Sequence, residues 1–319
     1  MHEFQLINKY FSQLAKNNKN SLNLNDDVFF HKSKKLAISV DTYVEGVHFI
    51  NFKKPDLVIK KIIRSSISDI ICKGVRPKYY FISGSGNKKS FSLSNLKKIS
   101  KSLKQEQNKY NIFLSGGDTV YSNKLSFTII SIGFSQRLIP RNNAKLNDDI
   151  YVTGNLGDSF AGLNILKKKI YSNKTLNRYF ESKYYLPNLQ IRLSDKLYSI
   201  ANTSIDISDG LIADLEKLIN KQKLSYKLYI ENVPISNNLK KLLTQKKLNK
   251  TSYISQGDDY QILFTANSSK SRIINKTAET LGIKISKIGK ICSYRQKSQI
   301  IDQKGKKIAV KTKGYFHKF

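Results

Sequence analysis

The sequence predicts an α/β (α+β) protein with two domains, and three observations lead to this prediction. The chain has 319 residues, which is about twice the usual domain size of roughly 150 residues. Apolar, strand-like runs alternate with amphipathic helical stretches, and the alternation occurs once in each half of the chain. A polar segment over residues 144–149 separates the two halves. We therefore expect an N-terminal domain over residues 1–143 and a C-terminal domain over residues 144–319.

The first half is predicted to open with an amphipathic helix and then to alternate strands with helices. Apolar residues recur at three- and four-residue spacing between Phe4 and Leu14, which is the helical period. Farther on, Asp56 is the expected N-cap of a helix that Gly74 ends. The elements expected after the first helix are a polar loop over 16–25, a strand over 36–40, a helix over 57–72, a strand over 79–83, a helix over 93–107, and strands over 112–114 and 125–134.

The second half is predicted to repeat this alternation. A strand over 150–153 leads into a glycine-containing turn, and Asp158 follows at the start of a helix. Asp209 and Gly210 precede a further helix that begins at Leu211. The remaining expected elements are a lysine- and tyrosine-rich helix, strands over 204–207, 227–230, 252–255 and 261–265, a helix over 269–281 and short strands in the tail.

The charge balance is strongly basic, with 56 Lys and Arg residues against 23 Asp and Glu residues and a formal net charge of +33. Taken alone, this balance predicts a polyanionic partner. However, the lysines are scattered along the whole chain, and arginine, which specific phosphate and base recognition favours, is scarce. We interpret the lysines as solvated surface residues and expect no specific nucleic-acid partner.

The cysteine content and the length of the apolar runs indicate in which cellular compartment the protein is expected. Two cysteines, Cys72 and Cys292, exclude a disulfide framework and a four-cysteine zinc site. No run approaches the roughly 20 apolar residues of a membrane-spanning helix, so we expect no membrane partner. The first residues lack the basic and apolar regions of a secretory signal. These features predict a soluble, cytoplasmic protein.

Aspartates follow or interrupt apolar strands at several points of this acid-poor chain. Asp41 comes directly after a predicted strand, and Asp118 follows another through two glycines that permit a close backbone approach. Asp206 lies between two isoleucines, and Ser208 is two residues farther on, hence on the same face of the strand. This repeated placement predicts a polar site at the strand ends.

Asp69 is expected near the C-terminal end of a helix, where the helix dipole disfavours an anion by about 0.3–1 kcal/mol. A carboxylate in that position needs a cation. Asp26 and Asp27 stand side by side in a loop, histidine is rare, and there is no cysteine cluster. Because the available ligands are all oxygens, the sequence favours Mg²⁺ over zinc or copper.

Each of these residues also has a structural interpretation. Asp158 and Asp209 can be helix N-caps, Asp258 and Asp259 can form a turn, and His48 can be a buried core histidine. Together, the acidic positions favour phosphate chemistry. No P-loop, protein-kinase or Rossmann glycine motif is present, so a nucleotide would be held mainly through bridging metal ions.

A series of short motifs occurs over essentially the whole chain. The motifs are Asn25–Asp27, Ala37–Thr42, Gly46–Phe49, Ser68–Ile70, Ser115–Thr119, Ile150–Gly154, Gly157–Ser159, Asp206–Leu211, Gly257–Tyr260 and Gly314–Tyr315. In this order the series resembles the thiamine-monophosphate kinase family, of the superfamily that includes aminoimidazole ribonucleotide synthetase and selenophosphate synthetase. The motifs around His48 and near the C-terminus favour this family over its superfamily relatives.

The resemblance implies a two-domain aminoimidazole ribonucleotide synthetase-like fold in which the N-terminal sheet pairs across a homodimer. It implies that ATP and thiamine phosphate bind, and that the γ-phosphoryl group of ATP passes to thiamine phosphate with the help of several Mg²⁺ ions. An acceptor phosphate is mostly ionised at neutral pH. We therefore expect direct in-line attack, without a general base or a phosphoenzyme.

The resemblance also implies roles for individual residues. The implied metal ligands are Asp27, Ser39, Val40 through its backbone, Asp41, Asp69, Asp118, Asp206 and Asp209. The implied ATP contacts are Gly117, Asp118, Arg141 and Ser208, and the groups implied to act at the reacting phosphates are Asp209 and Arg141. The implied substrate contacts are His48, Asp258, Thr312 and Tyr315.

Several residues depart from the family pattern, and they bear on substrate affinity more than on metal binding. Asn25 replaces a glycine and Val40 replaces a threonine. Asp258 is one methylene shorter than the usual glutamate, and Gln261 replaces another glutamate. Thr312 stands where an aromatic residue is expected to stack on the substrate.

Two other function classes remain open from the sequence. A related superfamily enzyme would act on another phosphate or on a carboxylate, and the acceptor that supports ADP formation distinguishes it. A basic nucleic-acid-binding protein would lose its binding steeply with salt.

In contrast to the aspartates above, Asp148 lies in the polar connection between the halves, and we expect Asp148→Asn to be nearly silent.

Overall fold

The computed structural model describes residues 3–317 and contains two β-sheets with helices packed against them, which confirms the predicted fold class. The strands are β1 (Phe29–His31), β2 (Leu36–Val44), β3 (Pro77–Gly86), β4 (Phe113–Tyr121), β5 (Ser126–Phe134), β6 (Asp149–Thr153), β7 (Thr203–Asp206), β8 (Leu224–Tyr229), β9 (Ile262–Ala266), β10 (Ile285–Ser293) and β11 (Gln299–Ile301). The α-helices are α1 (Glu3–Leu6), α2 (Pro55–Cys72), α3 (Leu93–Tyr110), α4 (Asp158–Leu166), α5 (Lys174–Tyr185), α6 (Ile191–Ile200), α7 (Leu211–Leu218), α8 (Asn237–Lys246), α9 (Lys250–Ile254) and α10 (Ser271–Leu281). Among these described helices, none is both long and apolar enough to cross a membrane.

The first sheet has five strands in the order β1-β2-β5-β3-β4. Neighbouring strands are antiparallel, except that β3 and β4 run parallel. Strand β4 is exposed along its whole length, and no other strand of residues 3–317 pairs with its outer edge. An edge strand of this kind offers its backbone groups for pairing with another chain.

The second sheet has six strands in the order β11-β8-β10-β6-β9-β7. Its strands β6 and β9 are completely buried. The two sheets are joined by the segment between Phe134 and Asp149. The expected domain boundary between residues 143 and 144 lies in this segment and stays a prediction, because one apolar cluster extends from Ile129 of the first sheet to Phe264 of the second.

Helix α2 lies between the two sheets and positions the site. It contacts β2 and β5 of the first sheet and β7 of the second. Ile59, Ile63 and Ile67 recur at four-residue spacing and are fully buried. The Ser66 hydroxyl lies 2.9 Å from that of Ser131 in β5, so small residues let the helix approach the sheet closely. The last turn of this helix lies between β2 and β7, since Asp69 accepts a hydrogen bond from Ser39 of β2 and Ser68 donates one to Asp206 of β7.

Three local predictions are wrong. Residues 252–255 were expected as a strand, but they fall at α9, where Asn249 accepts a hydrogen bond from the backbone N–H of Thr251 at 2.8 Å and caps the helix. Asp56 is not the N-cap of α2, because Lys54 holds that position. The strand expected over 112–114 is too short, since β4 continues through Gly116, Gly117 and Asp118 to Tyr121.

Glu106 of α3 and Arg64 of α2 form a buried, bidentate ion pair. The Arg64 Nε and Nη2 atoms donate to the two Glu106 carboxylate oxygens at 2.8 and 2.9 Å. We expect Glu106→Gln to lower the free energy of unfolding by about 3 kcal/mol, because it leaves a buried guanidinium without its counter-ion. The same change in the exposed Lys54–Glu181 pair, Glu181→Gln, should cost less than about 1 kcal/mol. Urea unfolding of both variants measures this, and equal losses would contradict it.

The surroundings of Asp148 correct the expectation that Asp148→Asn is nearly silent. Only 1% of the residue is exposed. Its carboxylate accepts hydrogen bonds from Asn202 Nδ2 at 2.8 and 3.0 Å, from Thr265 Oγ1 at 2.9 Å and from the Lys145 N–H at 2.9 Å. Asp148→Asn replaces one acceptor oxygen by an NH₂ group, which cannot accept the hydrogen bonds that these donors make. We therefore expect a loss of about 2 kcal/mol in unfolding free energy. A thermal melting temperature equal to that of the parent chain would refute this expectation.

Candidate active site

A cavity of about 540 Å³ opens beside α2, between the first sheet and the loops of the second. Strand β2 continues past Asp41 to Val44, so Asp41 reaches the cavity from within a strand and not from its end. The predicted site residues that line the cavity are Asp27, Val40, Asp41, His48, Asp69, Arg141, Ser208, Asp209, Asp258 and Tyr315. Both halves of the chain therefore contribute to one cavity.

Three carboxylates, those of Asp41, Asp69 and Asp206, lie close enough to repel one another at the last turn of α2. Burial raises the pKa of Asp41 and of Asp206 to about 6. Burial, followed by repulsion from Asp41 and Asp206, raises the pKa of Asp69 well above its usual value. Ser39 Oγ donates to Asp69 at 2.6 Å, and Ser68 Oγ donates to Asp206 at 2.7 Å. A cation would relieve the repulsion that remains.

The Asp26–Asp27 pair lies at a second position in the same acidic region. The Lys73 ammonium lies 2.8 Å from Asp26 Oδ1 and 2.9 Å from Asp27 Oδ2. The Arg141 Nε atom donates to Asp27 Oδ2 at 3.1 Å, Arg141 Nη2 contacts Asp27 Oδ1, and the Arg141 backbone N–H donates to Asp26 at 2.8 Å. Two buried cations thus balance two adjacent anions.

Three loops of the second half are tied together by backbone contacts. The Asp258 N–H donates to the Ser208 carbonyl at 2.8 Å, and the Tyr315 N–H donates to the Asp209 carbonyl at 2.9 Å. A Cβ atom on Gly257 would lie 1.6 Å from the Ser208 carbonyl oxygen, so only glycine permits this approach. The motifs that are far apart in sequence meet for this reason.

Asp209 is not the N-cap of α7, because Gly210 holds that position. The Asp214 carboxylate accepts hydrogen bonds from the N–H groups of Asp209 and Gly210, both at 3.0 Å. The Asp209 carboxylate contacts Lys217, whose ammonium also lies 2.8 Å from Asp214 Oδ1. Asp209 therefore lines the cavity while its carboxylate pairs with Lys217 of α7.

At the other end of the cavity, Asp258 is held by a buried lysine. The Lys61 ammonium lies 2.8 Å from Asp258 Oδ1, and the Tyr260 hydroxyl donates to the same oxygen at 2.9 Å. Lys61 also donates to the Tyr184 carbonyl at 3.2 Å and lies 4.0 Å from the centre of the Tyr184 ring. These contacts fix the orientation of the Asp258 carboxylate.

His48 forms part of an aromatic wall at this end. Its Nδ1 atom accepts a hydrogen bond from the Val44 N–H at 3.0 Å, and burial, followed by the neighbouring His317, lowers the pKa of His48. Its ring centre lies 5.4 Å from that of His317, which packs against Tyr315 at 5.0 Å. The neutral imidazole and these rings offer a surface for a flat ligand. Thr312 is exposed and does not line this cavity.

Gly117 and Asp118 lie apart from the cavity within one chain. Asp118 is aligned with Thr42 of β2 across β3 and β5, so three strand spacings separate them, about 14 Å. Its side chain is exposed on the edge strand. A Cβ atom on Gly117 would lie 1.8 Å from the Ile82 carbonyl oxygen, which explains the glycine structurally. A single chain does not bring Asp118 to the other carboxylates.

The acidic cluster fits Mg²⁺ in its chemistry. All its donors are oxygens, as Mg²⁺ prefers, and Asp206 Oδ1 is buried without a hydrogen-bond partner. Among residues 3–317, no three His, Cys, Asp or Glu side chains are arranged as a finished metal site. Asp27 instead pairs with Lys73 and Arg141, and Asp209 pairs with Lys217. The carboxylate oxygens thus suit Mg²⁺ in kind, although protein cations contact these two residues in this structure.

Four functional candidates were not predicted from the sequence: Lys61, Lys73, Asp214 and Lys217. The three lysines carry no distinguishing signal in a chain with 56 Lys and Arg residues. Asp214 lies inside an amphipathic helix, where an acidic residue is usually solvated. Only its complete burial, with 0% of its surface exposed, reveals that it organises the Asp209 loop.

Comparisons with known proteins show which family this chain is similar to. Residues 25–135 match the family model described as AIR synthase related protein, N-terminal domain. The chain is 36% identical to the thiamine-monophosphate kinase of Buchnera aphidicola subsp. Acyrthosiphon pisum over 99% of this chain and 98% of that protein. A solved structure of AaThiL complexed with AMPPCP and TMP superposes with a TM-score of 0.84 at 28% identity, over 99% of this chain and 97% of that one. The crystal structure of thiamine monophosphate kinase from Aquifex aeolicus gives a TM-score of 0.79 at 27% identity, over 97% and 99% of the two chains.

The fold and the cavity thus define an ATP-dependent kinase of the AIR synthase-related type. The motifs and the full-length similarity then narrow this class, and the chain belongs to the thiamine-monophosphate kinase family.

Proposed function

We propose that this chain transfers the γ-phosphoryl group of ATP to thiamine phosphate and thereby forms thiamine diphosphate and ADP. The observation that carries the proposal is one cavity with an acidic end, at Asp41 and Asp69, and an aromatic end, at His48 and Asp258. Membership of the family and the complex of AaThiL with AMPPCP, an ATP analogue, and TMP support the assignment.

The acidic end is proposed to hold the polyphosphate through Mg²⁺ ions. When bound there, Mg²⁺ neutralises negative charge on the phosphates of both substrates. Arg141 and Ser208 are proposed to contact ATP, and Asp209 and Arg141 to act next to the reacting phosphates. The proposed ligands are Asp27, Ser39, the Val40 backbone, Asp41, Asp69, Asp118, Asp206 and Asp209.

The transfer is proposed to be a direct in-line attack by an oxygen of thiamine phosphate. The acceptor is already ionised at neutral pH, so no residue has to remove a proton from it. The chief barrier is repulsion between two anions, and the buried Arg141 guanidinium opposes it with a fixed positive charge. The residues thus act by orientation and electrostatics.

The aromatic end is proposed to hold the thiamine rings. The Asp258 carboxylate complements the positive charge of the thiazolium ring, and Lys61 and Tyr260 keep it oriented. His48 lies beside it as a neutral imidazole. We assign the stacking role to Tyr315, which lines the cavity, and not to Thr312.

The chain is proposed to act as a homodimer in which the first sheets of two copies pair. Exposed apolar side chains of β4 support this arrangement, because they otherwise face water: Phe113, Leu114, Val120 and Tyr121 are 46–74% exposed. In the dimer, Gly117 and Asp118 of one copy are proposed to complete the ATP and metal site of the other.

The proposed activity is tested with purified protein, ATP, Mg²⁺ and thiamine phosphate, followed by chromatography of the products. Equal amounts of thiamine diphosphate and ADP are expected. ADP formation only with a different phosphate or carboxylate acceptor would instead assign a related superfamily activity.

The direct mechanism has its own test. After reaction with γ-labelled ATP and rapid denaturation, the protein should carry no covalent label during turnover. A labelled protein that forms and decays at the rate of turnover would overturn direct transfer.

A further inference from the structure

Lys73 is a completely buried lysine at the acidic end of the cavity, and its side chain has 0% exposure. It occupies the C-cap position of α2, where a cation interacts favourably with the helix dipole. The helix dipole alone does not account for the contacts of this side chain with the carboxylates of Asp26 and Asp27.

The Lys73 ammonium has three donors and three oxygen partners. It lies 2.8 Å from Asp26 Oδ1 and 2.9 Å from Asp27 Oδ2, and it donates to the Ser204 carbonyl at 2.8 Å. Burying a lysine is costly unless every donor is satisfied by an acceptor. Two carboxylates and a carbonyl are also the kind of oxygen ligands that a hard metal ion takes.

The effect of Lys73 reaches the other carboxylates. Burial raises the pKa of Asp69 and of Asp206, and in both residues Lys73 opposes the rise. The acidic end therefore contains a cation that the protein itself supplies, which contacts Asp26 and Asp27 and acts electrostatically on Asp69 and Asp206.

We propose that the Lys73 ammonium is a built-in cation that fills, between Asp26, Asp27 and the Ser204 carbonyl, a position that a divalent ion would otherwise take. Lys73 is thus a positioning residue, because it orients Asp27 without touching substrate. This inference rests on the proposed binding of Mg²⁺ at the cluster. It implies that removal of the ammonium creates one more metal position per chain.

The test counts bound Mn²⁺, used alone as a paramagnetic substitute for Mg²⁺, by electron paramagnetic resonance on the full chain. Lys73→Met should bind one more Mn²⁺ per chain than the parent protein. Lys73→Gln, which keeps hydrogen-bond donors but not the charge, should gain the same ion. Mn²⁺ should also raise the melting temperature of both variants more than that of the parent protein, a readout that remains usable if the metal-free variants are unstable.

Lys287→Met is the matched control, because Lys287 lies 2.8 Å from the buried Asp149 away from the cavity. It should bind as many Mn²⁺ ions as the parent protein. Equal counts in the parent protein and both Lys73 variants would overturn the inference, as would a gain in the control. If those equal counts are zero, the proposed metal site fails as well, whereas equal counts above zero overturn the built-in cation alone.

Discussion

Asp69→Asn is expected to reduce kcat/KM by at least about 10³-fold, the order of loss that follows removal of one principal electrostatic contact at a reacting phosphate. Asp69 lies in the last turn of α2 between Asp41 and Asp206, and each of the three is buried or half-buried. The amide keeps the size of the side chain but removes one of the charges that are proposed to hold Mg²⁺. Steady-state kinetics with ATP and thiamine phosphate measure the loss.

The fold should survive this change. Because burial and repulsion disfavour the charged form of Asp69, the metal-free variant should melt at or above the temperature of the parent protein. Asp56→Asn makes the same substitution in the first turn of the same helix, where it should leave kinetics unchanged. Activity of Asp69→Asn within about tenfold of the parent protein would contradict a catalytic role for this carboxylate.

Asp118→Asn is expected to be equally inactive, although the residue is exposed and about 14 Å from the Asp41 region of its own chain. The reason is that Asp118 is proposed to complete the site of a second copy. This arrangement makes a sharper prediction than inactivity, because two differently damaged chains can restore one intact site.

Mixing unfolded Asp69→Asn and Asp118→Asn chains in equal amounts and refolding them should restore about a quarter of the parent activity. Half of the dimers are then mixed, and one of the two sites in each mixed dimer is intact. Each variant refolded alone is the control and should stay inactive. Inactive mixtures that nevertheless contain mixed dimers would show that Asp118 does not act across the interface.

Much of the fold could be predicted from the sequence because the apolar residues of each local pattern are the ones that the tertiary structure buries. Alternation of apolar runs located the central strands, and Gly74 located the end of α2. The error at residues 252–255 arose because a short apolar run has no decisive period. The N-cap residue Asn249 is the local sequence signal that favours the helix α9 here.

The candidate site was harder to predict, because its balance of charge is a tertiary property. The aspartates stood out in an acid-poor chain, and the cavity collects most of them. Lys61 and Lys73 look like any surface lysine in the sequence, and only burial separates them from the rest. The prediction for Asp148 was wrong because a polar connecting segment was expected to be exposed, whereas Asp148 is buried.

The dispersed aspartates are proposed to converge where divalent ions would hold a triphosphate. The most direct test is anomalous X-ray diffraction from crystals of this protein grown with Mn²⁺ and AMPPCP. We expect Mn²⁺ peaks within coordination distance of Asp27, Asp41, Asp69 and Asp206 and of the analogue's phosphates. Peaks bound only elsewhere, or a triphosphate bound without any metal contact to these carboxylates, would contradict it.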